Sequence, residues 1–279
     1  MRIALLVNEA SGSGTEPDEI EDALRTAGAR PRRVGIERLD EAGRERPERL
    51  VVAGGDGSVA PAADAAGRLG IPLALIPTGT ANDFARAMGL PAERGEACRL
   101  AATGLRLRPL DLARMGARPF VNVASAGLAA GAARSARPLK GPLGPVAYLV
   151  AAVRAGLTGR PVPCAVRCDD HLLFEGPAWQ VTVACSGAFG GGSRLGGSHP
   201  SDGRLDVVVI RAGSRLGLAL HGWAMRAGRA GEERGAVRGR GRVVDLRLPP
   251  GERVNVDGEL VVHSPRLSVD PGWFSLVVG

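Results

Sequence analysis

The sequence predicts an α/β domain with a parallel, Rossmann-like sheet, followed by an antiparallel β-sandwich-like domain. Three times in the first 90 residues, a short apolar run leads into a small-residue loop and then into a helical pattern. From about Asp111 onward the pattern changes to short alternating or apolar runs, which Gly, Pro and Asp turns separate. The first pattern is typical of a parallel sheet and the second of antiparallel strands.

The three strand-loop-helix units follow one another directly. We expect strands at residues 3–7, 50–53 and 73–76, and helices at 16–27, after the GGDGS motif and after the PTGT motif. In the second helix, Pro61 is expected in the first turn and Ser58 near the cap. Because ligands bind beyond the carboxyl ends of such strands, we expect the three loops to share one site.

The antiparallel domain is predicted from six motifs, which are FVNVAS, PCAVRCD, WQVTVACS, RLDVVVI, RVVDLRL and RVNVDGE. Helical interruptions are expected at residues 146–155 and 215–226. The last apolar run, WFSLVV, is suited to return as a strand to the first domain. We therefore predict domains at residues 1–112 and 113–264, with 265–279 as a candidate to complete the first.

The charge of the chain narrows the class of its partners. The 279 residues carry a net charge of +7, and all but one of the 36 basic residues are arginine. Such a balance suits anionic membrane surfaces, nucleic acid or phosphorylated substrates. Nucleic acid is disfavoured because aromatic residues make up only 3% of the chain and the arginines are scattered between acidic residues.

Apolar runs and cysteines both indicate a cytoplasmic protein. No stretch reaches the roughly 20 apolar residues of a membrane span, and the amino-terminal apolar run is too short for a signal peptide. The four cysteines form no CxxC pair. We therefore expect reduced, structural thiols. These cysteines are Cys98, Cys164, Cys168 and Cys185.

The loop after the second strand, Gly-Gly-Asp-Gly-Ser at residues 54–58, has the composition of a phosphate cradle. Its glycines allow backbone N–H groups to approach phosphate oxygens where a helix begins. No GxxxxGK[ST] motif is present, so this is not a P-loop, and the first loop is only a near miss to the dinucleotide fingerprint. Asp56 would repel phosphate unless it held Mg²⁺ or accepted a proton from the acceptor. The alternative is a tight turn in which Asp56 caps the helix.

The third loop repeats this arrangement at the next strand end. Small residues, a hydroxyl and a carboxylate again precede a helix, in the run PTGTANDFAR. Helix capping explains each loop separately. Two such loops at adjacent strand ends bring two spare carboxylates into one cleft, which favours a nucleotide and Mg²⁺ site over capping alone.

The motifs GGDGS, PTGTANDFARAMGLP, PLDLARMG, FVNVASAGL, GAFGGGSRL, SDGRLDVVVI and VNVDGE resemble the diacylglycerol kinase catalytic family. They occur in order over nearly the whole chain. GGDG alone is shared with the wider superfamily of NAD kinases, whereas GTxNDFAR followed by DGxLDV and VDGE is specific to the lipid-kinase branch. The chain departs from the family pattern at Glu9, Ser13, Ala60, Pro61 and Ser186.

The resemblance implies a nucleotide-binding domain, a β-sandwich-like domain and catalysis in the cleft between them. It implies that Asp56, Asp83 and Asp111 organise catalytic Mg²⁺ through water, with Asp56 also acting in catalysis, and that Glu259 is the general base. Asp202, with backbone carbonyls of His199 and Arg204, matches a structural metal site. The residues that would hold ATP are Asn8, Ser11, Gly12, Gly54, Gly55, Gly57, Ser58, Thr78, Gly79, Thr80 and Asn82.

The local sequence also allows a simpler interpretation of the motifs SDGRLDVVVI and VNVDGE. Asp257-Gly258 predicts a hairpin turn with Glu259 on its solvent face, and Asp202-Gly203 predicts another turn. Both interpretations stay open at this point.

Three functions are compatible with these motifs. The favoured one is transfer of the ATP γ-phosphate to a lipid hydroxyl, such as that of diacylglycerol, a related glycerolipid or a sphingoid base, at the inner membrane face. Positive charge would aid contact with anionic lipid. The alternatives are a kinase of a soluble hydroxylated metabolite and a non-catalytic nucleotide- or lipid-binding regulator. The sequence leaves the oligomeric state open, a homodimer included.

Overall fold

The computed structural model describes residues 1–8, 16–35, 46–128, 159–189, 193–195, 197–213 and 236–279. The predicted nucleotide-binding residues Ser11 and Gly12 and the predicted helical segments at 146–155 and 215–226 lie outside these residues. The chain divides into two compact units. The first comprises Met1–Leu112 and Asp270–Gly279, and the second comprises Ala113–Phe189 and Ser193–Val269.

The first unit is a parallel sheet with helices. Its strands are β1 Arg2–Val7, β2 Arg30–Arg33, β3 Arg49–Gly54, β4 Leu73–Pro77, the start of β5 Arg106–Met115 and the end of β17 Arg266–Val278. Its helices are α1 Pro17–Thr26, α2 Asp56–Leu69, α3 Asp83–Ala87 and α4 Arg94–Thr103. The strand order β4-β3-β1-β2 is parallel throughout, and Leu276 of β17 pairs in parallel with Leu73. The predicted parallel α/β sheet is confirmed.

The core of this unit explains why its strands appear as uninterrupted apolar runs. All six residues of β3 are buried, as are four consecutive residues in each of β1 and β4. Ile20 and Leu24 of α1, four residues apart and on one helix face, pack into the same cluster as Leu5, Val51 and Ile76. A sheet that is covered on its faces leaves no position for an alternating polar residue.

Helix α2 begins earlier than the sequence suggests. Its first residue is Asp56, and Ser58 N donates to Gly55 O at 3.0 Å in the first turn. The prediction that Pro61 lies in the first turn is therefore wrong, since Pro61 lies inside the helix. The proline leaves the carbonyl of Gly57 without its usual partner, and Gly57 is exposed, so water can satisfy that group.

Strand β2 and helix α4 have no counterpart among the predicted elements. Strand β2 has the sequence RPRR and is defined by its pairing with β1, from Arg2 opposite Arg30 to Leu5 opposite Arg33. The carboxyl end of α4 is capped by the buried guanidinium of Arg49, which donates to Ala101 O and, at 2.7 Å, to Gly104 O. A distant partner in the chain thus orders β2 and stabilises the carboxyl end of α4.

Helix α2 packs against β17 so closely that its Gly67 admits no side chain. A Cβ atom at Gly67 would lie 2.4 Å from Trp273 Nε1 and 2.6 Å from the Trp273 carbonyl oxygen. We expect Gly67→Ala to lower the midpoint of thermal unfolding by about 5 to 10 °C, because the backbone of β17 must shift. Calorimetry would measure this, with Gly35→Ala as the control, since a Cβ there meets no atom within 4 Å. Equal midpoints for the two variants would contradict the packing.

The second unit is built from antiparallel strands. They are the end of β5, β6 Arg118–Phe120, β7 Val123–Gly127, β8 Val162–Cys168, β9 His171–Ala184, β10 Ala188–Phe189, β11 Ser193–Arg194, β12 Leu205–Arg211, β13 Ala236–Gly241, β14 Val243–Arg247, β15 Arg253–Val256, β16 Glu259–Val262 and the start of β17. The main order is β16-β15-β7-β9-β8-β14-β17, and β12 pairs with both β9 and β13. The strand pairs of the described residues in this unit are antiparallel, which confirms the predicted β domain.

Both faces of this sheet are buried at β12. Val207 and Val209 belong to one apolar cluster, and Val208 and Ile210 belong to another that contains Trp179. Successive strand residues point to opposite faces, so burial on both sides requires the run VVVI.

Among the described residues, no helix combines the length and the apolarity needed to cross a bilayer.

The four cysteines are buried, and none of them is in a disulfide bond. Burial raises the pKa of Cys98, Cys164 and Cys168 to about 11 in each case. Because the thiolate is the reactive form, we expect a maleimide or disulfide reagent at pH 8 to modify none of the four thiols in the folded protein. Mass spectrometry should then find four modifications after unfolding. Rapid labelling of the native chain would contradict this expectation.

Candidate active site

Residues that end or follow β1, β3 and β4 lie next to one another at the carboxyl ends of these strands. Asn8 N donates to Ala53 O at 2.9 Å, and Thr78 N donates to Gly54 O at 3.1 Å. These bonds extend the pairing of the strands beyond their last residues. The predicted residues Asn8, Gly54 and Thr78 are therefore held side by side at one edge of the sheet.

The GGDGS and PTGT loops touch through their backbones. A Cβ atom at Gly79 would lie 2.5 Å from Gly55 Cα and 2.8 Å from Asn82 Oδ1. Asn82 adopts a left-handed conformation, with φ 47°. Its side chain accepts from Gly79 N at 3.0 Å and donates to Gly79 O at 2.7 Å, which closes the loop on itself. Glycine is thus required where the two loops cross.

The side chains of Asn8 and Ser58 tie β1 to the start of α2. Asn8 Nδ2 donates to Ser58 Oγ at 2.8 Å. Ser58 is 1% exposed, and a Cβ atom at Gly54 would lie 2.8 Å from its hydroxyl oxygen. The buried Ser58 hydroxyl thus packs against Gly54 and accepts from Asn8, which supports the loop. Gly57, the second residue of α2, and Thr80 are exposed.

Asp56 joins the two loops through its carboxylate. It is the first residue of α2, and its two oxygens accept from Asp83 N at 3.0 Å and from Phe84 N at 2.9 Å. A side chain of one helix therefore caps the first turn of another, α3, whose own cap residue Asn82 makes no capping bond. Each carboxylate oxygen keeps a further lone pair for a water molecule or a cation.

The other two predicted magnesium carboxylates also have protein partners. Asp83 is 8% exposed and accepts from Arg86 Nη2 at 2.7 Å. Asp111 is 4% exposed and accepts from Gly272 N at 2.8 Å. Within the part of the chain that the structure describes, no three His, Cys, Asp or Glu side chains are grouped so that they could hold a metal ion. The structure thus brings Asp56 to the backbone of Asp83, but it forms no cage of three carboxylates.

In the second unit, the β15–β16 hairpin carries the predicted general base. Asp257 and Gly258 have positive φ angles of 46° and 92°, as in a type I′ turn, and Val256 pairs with Glu259. The side chain of Glu259 is 56% exposed and forms an ion pair with Arg118 of β6. The hairpin turn with Glu259 facing solvent is therefore confirmed.

Asp257 anchors this hairpin to the chain before β7. Its carboxylate accepts from Val121 N at 2.8 Å, Asn122 N at 3.0 Å and Val123 N at 2.9 Å. Its own N–H donates to Val123 O at 3.0 Å. Four bonds to one three-residue segment hold the turn from which Glu259 emerges.

The same segment is bound from its other side by Ser186. Ser186 Oγ donates to Asn122 Oδ1 at 2.7 Å, and Ser186 N donates to Val121 O at 3.1 Å. Ser186 and Asn122 are 1% and 3% exposed, so this is a buried and mutually satisfied pair. Ser186 is one of the positions at which the chain departs from the pattern it resembles, and its hydroxyl donates to Asn122.

Asp202, the predicted structural metal ligand, lies beside an arginine. Asp202 Oδ1 accepts from Arg204 N at 3.0 Å, and Oδ2 accepts from the Arg240 guanidinium. Gly203 has a φ of 67°, which agrees with the predicted turn. Burial raises the pKa of the neighbouring Asp206, and the positive charge of Arg240 opposes that rise.

Sequence reasoning missed four residues of these sites: Arg86, Arg118, Arg240 and Asp257. Asp257 and Arg86 carried a signal, since they belong to the VDGE and PTGTANDFAR motifs. Arg118 and Arg240 act through partners 141 and 38 residues away in the chain. In a chain with 36 basic residues, nothing in the sequence distinguishes these two from the others.

Comparison with known proteins defines the class of the chain. Residues 2–115 match the model of the diacylglycerol kinase catalytic domain, and residues 122–278 match that of the YegS C-terminal NAD kinase beta sandwich-like domain. The chain is therefore a phosphotransferase with a kinase catalytic domain. It belongs to the diacylglycerol kinase catalytic-domain family, in the branch that carries the YegS-type second domain.

Curated relatives and solved structures agree with this assignment. A protein of Pseudomonas aeruginosa named "Probable lipid kinase YegS-like" is 34% identical over 236 residues, which are 80% of this chain and 74% of that protein. A protein of Pseudomonas fluorescens with the same name is 32% identical over 235 residues, 80% of this chain and 75% of its own length.

Two solved structures share the fold. A diacylglycerol kinase structure from Bacillus anthracis superposes with a TM-score of 0.80 at 21% identity and covers 100% of this chain and 97% of that one. An NAD kinase from Archaeoglobus fulgidus, solved in complex with ATP, has a TM-score of 0.53 at 14% identity and covers 99% of this chain and 92% of its own.

Proposed function

We propose that this protein is a Mg²⁺-dependent lipid kinase, which transfers the γ-phosphate of ATP to a hydroxyl group of diacylglycerol or of a related glycerolipid or sphingoid base. The observation that carries the proposal is the crossing of the Gly55 and Gly79 loops. Asp56 stands at that crossing, at the first residue of α2. Membership of a kinase family gives this arrangement its reaction class.

The loop crossing suits the phosphates of a nucleotide. Helix α2 has 14 residues and begins directly after Gly55, so its free N–H groups and its dipole favour an anion there. Because glycines stand at residues 54, 55 and 57, these positions carry no side chain of their own that would cover the start of α2. We assign the phosphates of ATP to this edge, with the neighbouring Asn8, Thr78, Thr80 and Asn82 as further contacts.

The donor set at this edge fits Mg²⁺ bound largely through water. Mg²⁺ usually keeps several waters and takes one or two carboxylates together with substrate phosphates, so no cage of three carboxylates is needed. Asp56 would hold the ion, with Asp83 and Asp111 acting on its waters. When bound, the ion neutralises charge on the transferred phosphoryl group.

Glu259 is the carboxylate that we assign to take the proton of the acceptor hydroxyl. It is exposed at a rigid turn, and its contact is the ion pair with Arg118, which an incoming substrate can displace because both side chains are in solvent. Asp257 is a positioning residue in this proposal, since its bonds to residues 121–123 hold the turn that carries Glu259.

A lipid acceptor is supported by the relatives, which carry the name "Probable lipid kinase YegS-like". The match to this chain covers about three quarters of their length. A lipid substrate resides in a membrane, and the net charge of +7 favours peripheral contact with an anionic bilayer surface. We therefore propose that the protein works at such a surface.

The test is phosphate transfer from γ-labelled ATP to a panel of acceptors. The panel contains diacylglycerol and phosphatidylglycerol in mixed vesicles, sphingosine, glycerol and NAD. We expect Mg²⁺-dependent labelled product that partitions into organic solvent, and loss of this product in Asp56→Asn and Glu259→Gln. Labelling of glycerol or NAD alone would replace the lipid assignment, and full activity in both variants would refute the assigned chemistry.

A further inference from the structure

Two carboxylates and one guanidinium form a compact cluster in the second unit, away from the assigned catalytic carboxylates in sequence. Asp206 of β12 pairs directly with Arg240 of β13 in the antiparallel register. Arg240 Nε lies 2.8 Å from Asp206 Oδ1, and the terminal nitrogen Nη2 of Arg240 donates to Asp202 Oδ2. One guanidinium therefore bridges a carboxylate of the strand and a carboxylate of the loop that precedes it.

Both oxygens of the Asp202 carboxylate have a partner within the protein. Its second oxygen accepts from Arg204 N at 3.0 Å, which closes the turn. The side chains of Asp202 and Asp206 are 27% and 13% exposed and that of Arg240 is 45% exposed, so the two carboxylates are more shielded from water than the guanidinium. Charge-assisted bonds of this kind are shorter and stronger than neutral ones, and the planar arginine fork suits two acceptors at once.

A divalent cation does not fit beside this guanidinium. Ca²⁺ or Mg²⁺ bound to Asp202 would lie about 2.0 to 2.6 Å from one of its oxygens, of which Oδ2 already accepts from Arg240 and Oδ1 from Arg204 N. That position would bring a doubly charged ion next to a fixed positive charge. Among the residues that the structure describes, no third carboxylate, His or Cys completes a metal-binding group here.

We propose that the Arg240 guanidinium takes the place of the structural metal ion that the family resemblance assigns to Asp202. The loop before β12 is then held to β12 and β13 by a cation that belongs to the chain. A chelator removes a bound metal ion but not an arginine side chain. The stability of this unit is therefore independent of divalent cations, and the proposal does not depend on the identity of the phosphate acceptor.

The test compares thermal unfolding of the full chain in EDTA with unfolding in Mg²⁺ or Ca²⁺, without nucleotide and at constant ionic strength. The wild-type midpoint is expected to agree within about 1 °C across these conditions, since no ion binds the cluster. Arg240→Met removes the charge and leaves two facing carboxylates. Its midpoint in EDTA is expected to fall by about 5 °C, and Ca²⁺ or Mg²⁺ should recover part of that loss.

Two further variants keep the comparison decisive. Arg242→Met, at an exposed position two residues along the chain, serves as the matched control and should change neither the midpoint nor its response to cations. Arg240→Lys retains one charge and should lie between wild type and Arg240→Met, which gives a second measure if the methionine variant folds poorly.

Three results would overturn the proposal. The first is a fall in the wild-type midpoint in EDTA that Asp202→Asn abolishes, because a metal would then occupy Asp202 despite Arg240. The second is an Arg240→Met variant as stable as wild type. The third is an Arg240→Met variant that is destabilised but unaffected by any divalent cation, because the cluster would then not be a cation position.

Discussion

Replacing Asp56 with asparagine should lower kcat by roughly 10³-fold while the protein remains folded. Two roles meet in this side chain. Its oxygens accept from Asp83 N and Phe84 N, which is a structural role, and it is the carboxylate that we assign to Mg²⁺. The amide of asparagine retains one acceptor oxygen and removes the negative charge, so both roles are affected.

The loss of stability expected for Asp56→Asn is limited. Asparagine leaves one of the two N–H groups at the start of α3 facing an NH₂ group, which costs about 1 to 3 kcal/mol of unfolding free energy. A loss of that size lowers the midpoint of unfolding but leaves most molecules folded at 25 °C. A fall in kcat of three orders of magnitude must then come from chemistry in the folded enzyme.

Asp64→Asn is the matched control for Asp56→Asn. Asp64 lies in the same helix, is 6% exposed and forms an ion pair with Arg68. Its replacement should destabilise the protein to a similar extent and leave kcat within about twofold of wild type. The measurements are calorimetric midpoints and initial rates at saturating ATP. If Asp56→Asn kept a tenth or more of wild-type kcat, Asp56 would be a capping residue alone.

The sequence predicted the strands of the first unit well, because their signal is local. Strand β3 is buried at all six positions, so its residues had to form an apolar run whatever the remainder of the chain did. The same holds for β12, where burial on both faces requires VVVI. Strand β2 escaped prediction, because RPRR contains no local strand signal and is ordered by its partner β1.

The loop residues were also recognisable in advance, but their contacts were not. The glycines of the GGDGS loop predicted a close approach of N–H groups to phosphate, but the close contact between Gly55 and Gly79 was not predicted. That Asp56 caps α3 depends on a packing of residues 27 and 28 positions away. Capping and a cation site were alternatives in the sequence, whereas one carboxylate here has the geometry for both.

The metal ligand predicted at Asp202 illustrates a different limit. The motif SDGRLD specifies the turn and both carboxylates, but the charge that satisfies them comes from Arg240, 38 residues after Asp202. A sequence motif identifies the side chains of one segment. It does not identify the oppositely charged residue that the fold places beside them.

The β15–β16 hairpin contains two acidic residues for which we expect opposite signatures. Asp257→Ala should be severely destabilising, because it leaves the N–H groups of Val121, Asn122 and Val123 without their acceptor in a segment that is at most 8% exposed. At about 1 to 3 kcal/mol for each buried unsatisfied donor, the sum is a large part of the stability of a typical domain.

Glu259→Gln should leave the stability unchanged and lower the catalytic rate. The Glu259 side chain is 56% exposed, and in the described part of the chain it forms an ion pair with the half-exposed Arg118. Such surface pairs contribute about 0 to 1 kcal/mol to stability. Its unfolding midpoint should therefore match that of wild type. As the assigned general base, however, its loss should lower kcat by about 10² to 10⁴-fold, with little change in the KM for ATP.

Glu252→Gln makes the comparison between these variants specific. Glu252 precedes β15 in the same segment of chain, so its replacement removes one negative charge near the hairpin without touching the turn. It should leave both kcat and stability unchanged, which excludes a general effect of net charge. Steady-state rates and calorimetry on the three variants then separate positioning from proton transfer. Wild-type kcat in Glu259→Gln would show that the acceptor proton leaves by another route, and a stable Asp257→Ala variant would show that the turn does not depend on its carboxylate.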